Sequence, residues 1–302
     1  MSQSDDPNAE QREFWRAAAV WVDQQERLDA QLAHIGVAAM DAVDRLPSAA
    51  RVLDVGCGCG QTSLQWSERV SGSVLGVDIS EPLVEVARRR AAEHSAAYPE
   101  AAPISFAVAD AQTADIAGLA TESAADNGSF AGFDVVFSRL GVMFFADPVA
   151  AFVNLRSATR PGGQLSFVCW QRARNNPWLV SVNKAVLGIV EMPSSDGPAV
   201  DPFAFADPDH VQGILGAAGW SDIAIEPHDT ELVFSGGGHP RRDRRLRDGP
   251  RNCPSRPGRT SARGSRPGPR RRHCCVGTTG NPRWSRLSGG HLDRYRPQLT
   301  PD

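Results

Sequence analysis

Apolar residues recur in short runs along the first two thirds of the chain: Val52, Leu53 and Val55, then Val74–Ile79, Ile104–Ala109, Phe133–Phe137 and Gln164–Trp170. Each reads as a short strand covered on both faces. Gln61–Val70 reads as a helix after the first run. Leu155–Arg160 reads as a helix end, with Pro161-Gly162-Gly163 as the turn into the fifth run. Strands alternating with helices predict an α/β fold with a doubly wound, mostly parallel sheet. A sixth strand is expected at Ile223–Glu226. Such a sheet should close with an antiparallel hairpin, but no seventh strand follows in the sequence.

Outside the strands, residues 11–45, with Trp15, Trp21, Leu28 and Leu32, predict N-terminal helices that cover part of a pocket. Gln171–Ala218 is an insertion between the fifth and sixth strands. It contains Asn176-Pro177-Trp178, an apolar helix about 179–190, a Pro/Gly/Ser-rich link at 193–202, and a helix start at Asp207-Pro208-Asp209 before Val211–Ala218. The chain divides into a helical lid at 1–50, a main domain at 51–238 with 171–218 as an acceptor lid, and a tail at 239–302.

The chemistry concentrates at the end of the first strand. Residues 51–60 read Arg-Val-Leu-Asp-Val-Gly-Cys-Gly-Cys-Gly. Gly56, Gly58 and Gly60 let the backbone turn sharply and admit a ligand against the main chain. The spacing is G-x-G-x-G rather than the dinucleotide G-x-G-x-x-G, and Asp54 stands two positions before the first glycine. A carboxylate there repels a pyrophosphate and suits a ligand with an amino group. Asp78 ends the second run, where an acid can accept both ribose hydroxyls. Asp110-Ala111 ends the third, and Ser138-Arg139 follows the fourth.

In this order and spacing the chain resembles the class I S-adenosyl-L-methionine (AdoMet)-dependent methyltransferases, with a Rossmann-like fold, over roughly residues 10–235. It looks most like the small-molecule branch that includes the ubiquinone and menaquinone C-methyltransferases. The resemblance implies that Asp54 orders the glycine loop or the cofactor amino group, and that Gly56–Gly60, with Cys57 and Cys59 in place of the usual small residues, wrap the methionine part. It implies Asp78 on the ribose, Ile79 against adenine, Asp110 and Ala111 at the adenine edge, and Ser138 toward the sulfonium. The implied reaction is in-line methyl transfer to a small acceptor, apolar or aromatic given the lids. No catalytic residue is assigned. His34 is the best-placed general base, ahead of His94, His210 and His228.

Charge then splits the chain. The net −3 conceals +13 over residues 239–302, from seventeen Arg and four Asp, against −16 over residues 1–238. The tail also holds nine Pro and eight Gly, which predicts disorder. One reading makes it a nucleic-acid arm and the protein an RNA methyltransferase. The favoured reading is a shift of reading frame near Gly236–Pro240, which also accounts for the missing strand and disfavours a nucleic-acid partner. A third reading is a non-catalytic protein disabled by that loss. Six cysteines without disulfide or zinc spacing, a polar N-terminus and no long apolar run predict a cytoplasmic protein with no metal and no membrane span.

Overall fold

The five apolar runs become five adjacent parallel strands. The computed structural model describes residues 8–17, 19–123, 130–176, 201–232 and 275–280. β1 (Arg51–Val55) lies between β2 (Ser73–Asp78) and β4 (Phe133–Arg139), with β3 (Ile104–Val108) beyond β2 and β5 (Thr159–Trp170) beyond β4. The order 3-2-1-4-5 reverses direction at β1 and β4, so the carboxyl ends of these two strands open a crevice. Val52, Leu53, Val135, Val136 and Phe137 are buried there without remainder, as a sheet covered on both faces requires.

Helices cover the sheet: α1 (Ala9–Ala17), α2 (Ala19–Asp23), α3 (Gln25–Asp41), α4 (Gln61–Ser67), α5 (Glu81–Ala97), α6 (Ile116–Ser123), α7 (Pro148–Ser157) and α8 (Pro208–Ala217). The last two start alike. Asp147 accepts from the Ala150 N–H at 3.0 Å and Asp207 from the Asp209 N–H at 3.2 Å, each followed by a proline whose fixed φ suits the first turn. Phe152 of α7, Phe167 of β5 and Phe205 pack ring against ring, each at most 3% exposed. Burying a side chain of this size stabilises a fold by roughly 1.5–3 kcal/mol.

The structure corrects the sequence reading at the far edge of the sheet. β5 begins at Thr159. The predicted Pro161-Gly162-Gly163 turn survives as a bulge in the register between Phe133↔Thr159 and Val135↔Gln164. Gly162 there has φ +81°. β6 spans Ile225–Thr230 rather than Ile223–Glu226, with Pro227 tolerated on an edge strand. The place between β5 and β6, expected to lack a strand, is taken by β7 (Cys275–Gly280), parallel to both instead of forming an antiparallel hairpin. This segment carries Val276, Thr278 and Thr279 and is free of Arg and Pro, so it has the β-branched composition that the surrounding tail lacks. The helix expected about 179–190 and most of the link at 193–202 lie outside the described residues, as do 233–274 and 281–302.

Candidate functional site

The glycine hairpin is held from beneath by β2. The Gly56 and Cys57 N–H groups both donate to the Val77 carbonyl, at 2.9 and 3.1 Å, and the Gly60 N–H donates to the Cys57 carbonyl at 2.9 Å. All three glycines have positive φ. They differ in what surrounds them. A methyl at Gly56 would stand 2.8 Å from the Cα of Gly141, in the loop after β4, whereas a methyl at Gly58 would meet nothing within 4 Å. Gly56 closes the crevice between β1 and β4, and Gly58 leaves room for a ligand.

The acids divide into a wall and a support. Asp78 Oδ2 accepts from the Gly58 N–H at 2.8 Å and its Oδ1 from the Ser80 N–H at 2.9 Å, so the carboxylate fixes the hairpin while facing the cavity. Burial raises its pKa, opposed by those backbone bonds. Asp110 also lines the cavity, with Oδ2 accepting from Asn8 Nδ2 at 2.7 Å and Oδ1 from the Gln112 N–H at 2.9 Å. Asp54 lies behind the hairpin and does not line the cavity. Its Oδ2 accepts from the Thr62 and Ser63 hydroxyls of α4, at 2.7 and 2.6 Å, while Oδ1 is buried without a partner. Burial pushes its pKa up to about 6, opposed by the two hydroxyls and the Arg139 charge.

Together these residues bound a cavity of about 550 Å³ above the carboxyl ends of β1, β2, β3 and β4, within the usual range for small-molecule sites. Of the sequence-predicted residues, Gly56, Cys57, Gly58, Cys59, Asp78, Ile79, Asp110 and Ala111 line it; Asp54, Gly60 and Ser138 do not. Ser138 is fully buried, and its hydroxyl accepts from the Gly141 N–H at 3.2 Å, shaping the loop opposite Gly56. Gly60 packs on Ala87 and Phe106. Burial raises both hairpin thiols, Cys59 to about 11 and Cys57 well above its ordinary value. They stay protonated at neutral pH, and no cluster of metal-ligating side chains exists among the described residues.

The opposite wall comes from the N-terminal helices and the loop after β4. Trp15 packs edge-on against Phe144 at 5.1 Å and against Phe14 at 5.1 Å, and Trp21 lies 5.7 Å from Trp15. Polar contacts seat these helices on the hairpin half of the cavity. The Ser80 hydroxyl donates to the Trp15 carbonyl at 3.1 Å, Asn8 bonds Asp110, and Arg90 bridges Asp29 of α3 (2.7 Å) to the Cys59 carbonyl (2.5 Å). Asn8, Asp29 and Arg90 were not singled out in the sequence; they lie far from the motif and share no spacing with it. No described histidine lines the cavity. His34, the candidate base, sits instead near Glu231 and His228, and its pKa is lowered by burial.

Residues 52–163 match the family model for a methyltransferase domain. The match takes in the glycine hairpin, Asp78 and Asp110, and AdoMet is the methyl donor of that family. Phosphoethanolamine N-methyltransferase 1 of Triticum aestivum is 31% identical over 138 residues, covering 46% of this chain and 24% of that protein. Malonyl-[acyl-carrier protein] O-methyltransferase of Xylella fastidiosa is 30% identical over 123 residues, covering 40% and 35%. The chain therefore spans about a quarter to a third of the length of these relatives. A solved structure of Haemonchus contortus phosphoethanolamine N-methyltransferase 2 with AdoMet aligns over 69% of this chain and 44% of that one, at 18% identity and TM-score 0.44. These relatives are named as methyltransferases of phosphoethanolamine and of malonyl-[acyl-carrier protein], and the narrower likeness to the quinone enzymes is not singled out among them. Among the described residues, no helix is long and apolar enough to cross a membrane.

Proposed function

We propose that this protein transfers a methyl group from AdoMet to a small apolar or aromatic acceptor by in-line displacement. The supporting observation is one cavity whose floor is the Gly56–Gly60 hairpin with Asp78 and Asp110, and whose other wall is aromatic. The residues fit the cofactor: Gly58 offers open space where any side chain would intrude, and Asp78 and Asp110 present carboxylate oxygens to hydroxyl and amino donors. In this reading the hairpin holds the methionine part, Asp78 the ribose, Ile79 one face of adenine, and Asp110 with Ala111 its edge. Bound there, AdoMet supplies an electrophilic sulfonium methyl.

The side chains of this chain then need to place a nucleophile in line and keep water away. Trp15, Phe144 and Phe145 line the side facing the hairpin and exclude solvent. Asp54 acts through α4, holding Thr62 and Ser63 so that the helix start and hairpin keep their relative position. An acceptor that is already nucleophilic needs no base, consistent with a cavity without a described histidine. The test is thermal unfolding with and without S-adenosylhomocysteine. A midpoint that rises with ligand in the wild type and not in Asp78→Ala is expected; a cooperative transition indifferent to ligand overturns the reading.

A further inference from the structure

The hairpin brings no acid of its own to meet an amino group. Asp54, for which the resemblance offered either the loop or that amino group, lies behind the hairpin on α4 and outside the cavity. The charged side chains that line the cavity, among the described residues, are Asp29, Asp78, Asp110 and Arg139. Asp78 and Asp110 stand at the far ends of β2 and β3, and both oxygens of each already accept protein donors. Asp29 of α3 and Arg139 at the end of β4 remain, beside the hairpin of β1.

One amide sets these two side by side. Gln61, at the start of α4, accepts from Arg139 through Oε1 and donates through Nε2 to the Asp29 carbonyl at 2.9 Å. The Arg139 stem crosses α3 at Gly36, where a methyl would stand 3.3 Å from its Cδ. Gln61 is neutral and occupies one of the several N–H donors of the guanidinium. Asp29 accepts from Arg90 at 2.7 Å and from Gln25, both at Oδ2, and its Oδ1 is left uncommitted among the described residues. Burial lowers the Arg139 pKa, and the charges of Asp29 and Asp54 oppose that shift. A partly desolvated guanidinium whose hydrogen-bond partner is an uncharged amide is costly, and a carboxylate fits its planar fork. The ligand that complements this pair carries an anion and a cation on neighbouring atoms, as an α-amino acid does. Resting on the methyl-transfer reading above, we propose that Arg139 and Asp29 form a clamp for the zwitterionic end of the cofactor, Arg139 taking its carboxylate and Asp29 Oδ1 its ammonium. One residue of the wall opposite the hairpin therefore serves the cofactor.

The test measures equilibrium binding to the full chain of S-adenosylhomocysteine, its decarboxylated analogue, which keeps the amine, its deaminated analogue, which keeps the carboxylate, and 5′-methylthioadenosine, which lacks both. If neither S-adenosylhomocysteine nor 5′-methylthioadenosine binds the wild type, the methyl-transfer reading itself fails and the clamp with it. If 5′-methylthioadenosine binds and S-adenosylhomocysteine binds no more tightly, the nucleoside site stands and the clamp alone is overturned. The expected result is a loss of about tenfold or more on removing either charge, from the value of a hydrogen bond to a charged group. Arg139→Gln should bring S-adenosylhomocysteine down to the level of the decarboxylated analogue while moving that analogue by less than about twofold, and Asp29→Asn should do the same with the deaminated analogue. A variant that weakens every ligand alike, 5′-methylthioadenosine included, would show that it only loosens the hairpin and would overturn the role given to that residue. The wild-type ligand series decides for or against the clamp even where a variant does not fold.

Discussion

The two walls of the cavity are built by different means. The hairpin wall is backbone: strand-end carbonyls, N–H groups and three glycines at positive φ, braced by Asp54 and Asp78. The helical wall is side chain: aromatic rings with a few polar ties to the other half. A backbone wall tolerates little change, because its atoms cannot adopt another rotamer. A side-chain wall can be recut residue by residue. In the methyl-transfer reading proposed above, the first wall serves the cofactor and the second can be varied to suit the acceptor.

Substitutions can break this contrast, and the hairpin should give the largest effect. Gly56→Ala combines positive-φ strain with a methyl 2.8 Å from the Gly141 backbone, so a loss of about 4 kcal/mol is expected by urea unfolding. Gly58→Ala, with strain alone, should lose about 1 kcal/mol. Equal losses would show that the hairpin is not packed against the β4 loop. Next comes Asp54, whose carboxyl titrates near 6 in the folded protein against an ordinary 3.8. A folded pKa raised in this way gives stability that is full below the unfolded value and lost as pH rises through the folded one. Relative to Asp54→Asn, wild-type stability should therefore fall by on the order of 3 kcal/mol between pH 4 and 7. A pH-independent difference would mean that Asp54 is not a buried, ionising support.

Smaller effects sharpen the comparison. Asp78→Asn replaces a carboxylate that accepts two backbone N–H groups with an amide that can accept through one oxygen only. It should weaken S-adenosylhomocysteine binding by about 2 kcal/mol, or roughly thirtyfold by calorimetry; an unchanged affinity would remove Asp78 from the cofactor site. Ser80→Ala, which cuts the tie to Trp15, should cost at most about 1 kcal/mol. Its clearer signature is faster amide exchange confined to α1, and exchange accelerated through the whole sheet would show that the helical wall supports the hairpin after all.

The same contrast governs what the sequence disclosed. β1 to β5 and the hairpin are written in local patterns: buried runs, glycine spacing, an acid at each strand end. The doubly wound, mostly parallel sheet was expected; its order 3-2-1-4-5 came from the structure. Asn8 on Asp110, Asp29 on Arg90 and Ser80 on Trp15 join segments 102, 61 and 65 residues apart, and no periodicity announces such a meeting. Asp54 was placed correctly at its strand end, yet its direction, away from the cavity and onto α4, depends on two hydroxyls one helical turn along. Replacement of the expected antiparallel hairpin by parallel β7 also lay beyond local signals, since Cys275–Gly280 holds only three β-branched residues, beside two glycines, within an arginine-rich stretch. With that position filled, the missing strand no longer argues for a shifted reading frame.

Helix α1 starts just after Asn8, which bonds the acid after β3, and carries Trp15 over the serine after β2. It crosses both strand ends that meet the nucleoside in the reading above. In that reading, lifting this short helix off a seated ligand breaks the Asn8–Asp110, Ala146–Asn8 and Ser80–Trp15 hydrogen bonds and the Trp15–Phe144 contact. The dwell time of the spent cofactor would then be set by the breathing of nine residues, making α1 the clock of the catalytic cycle even though it holds none of the reacting atoms.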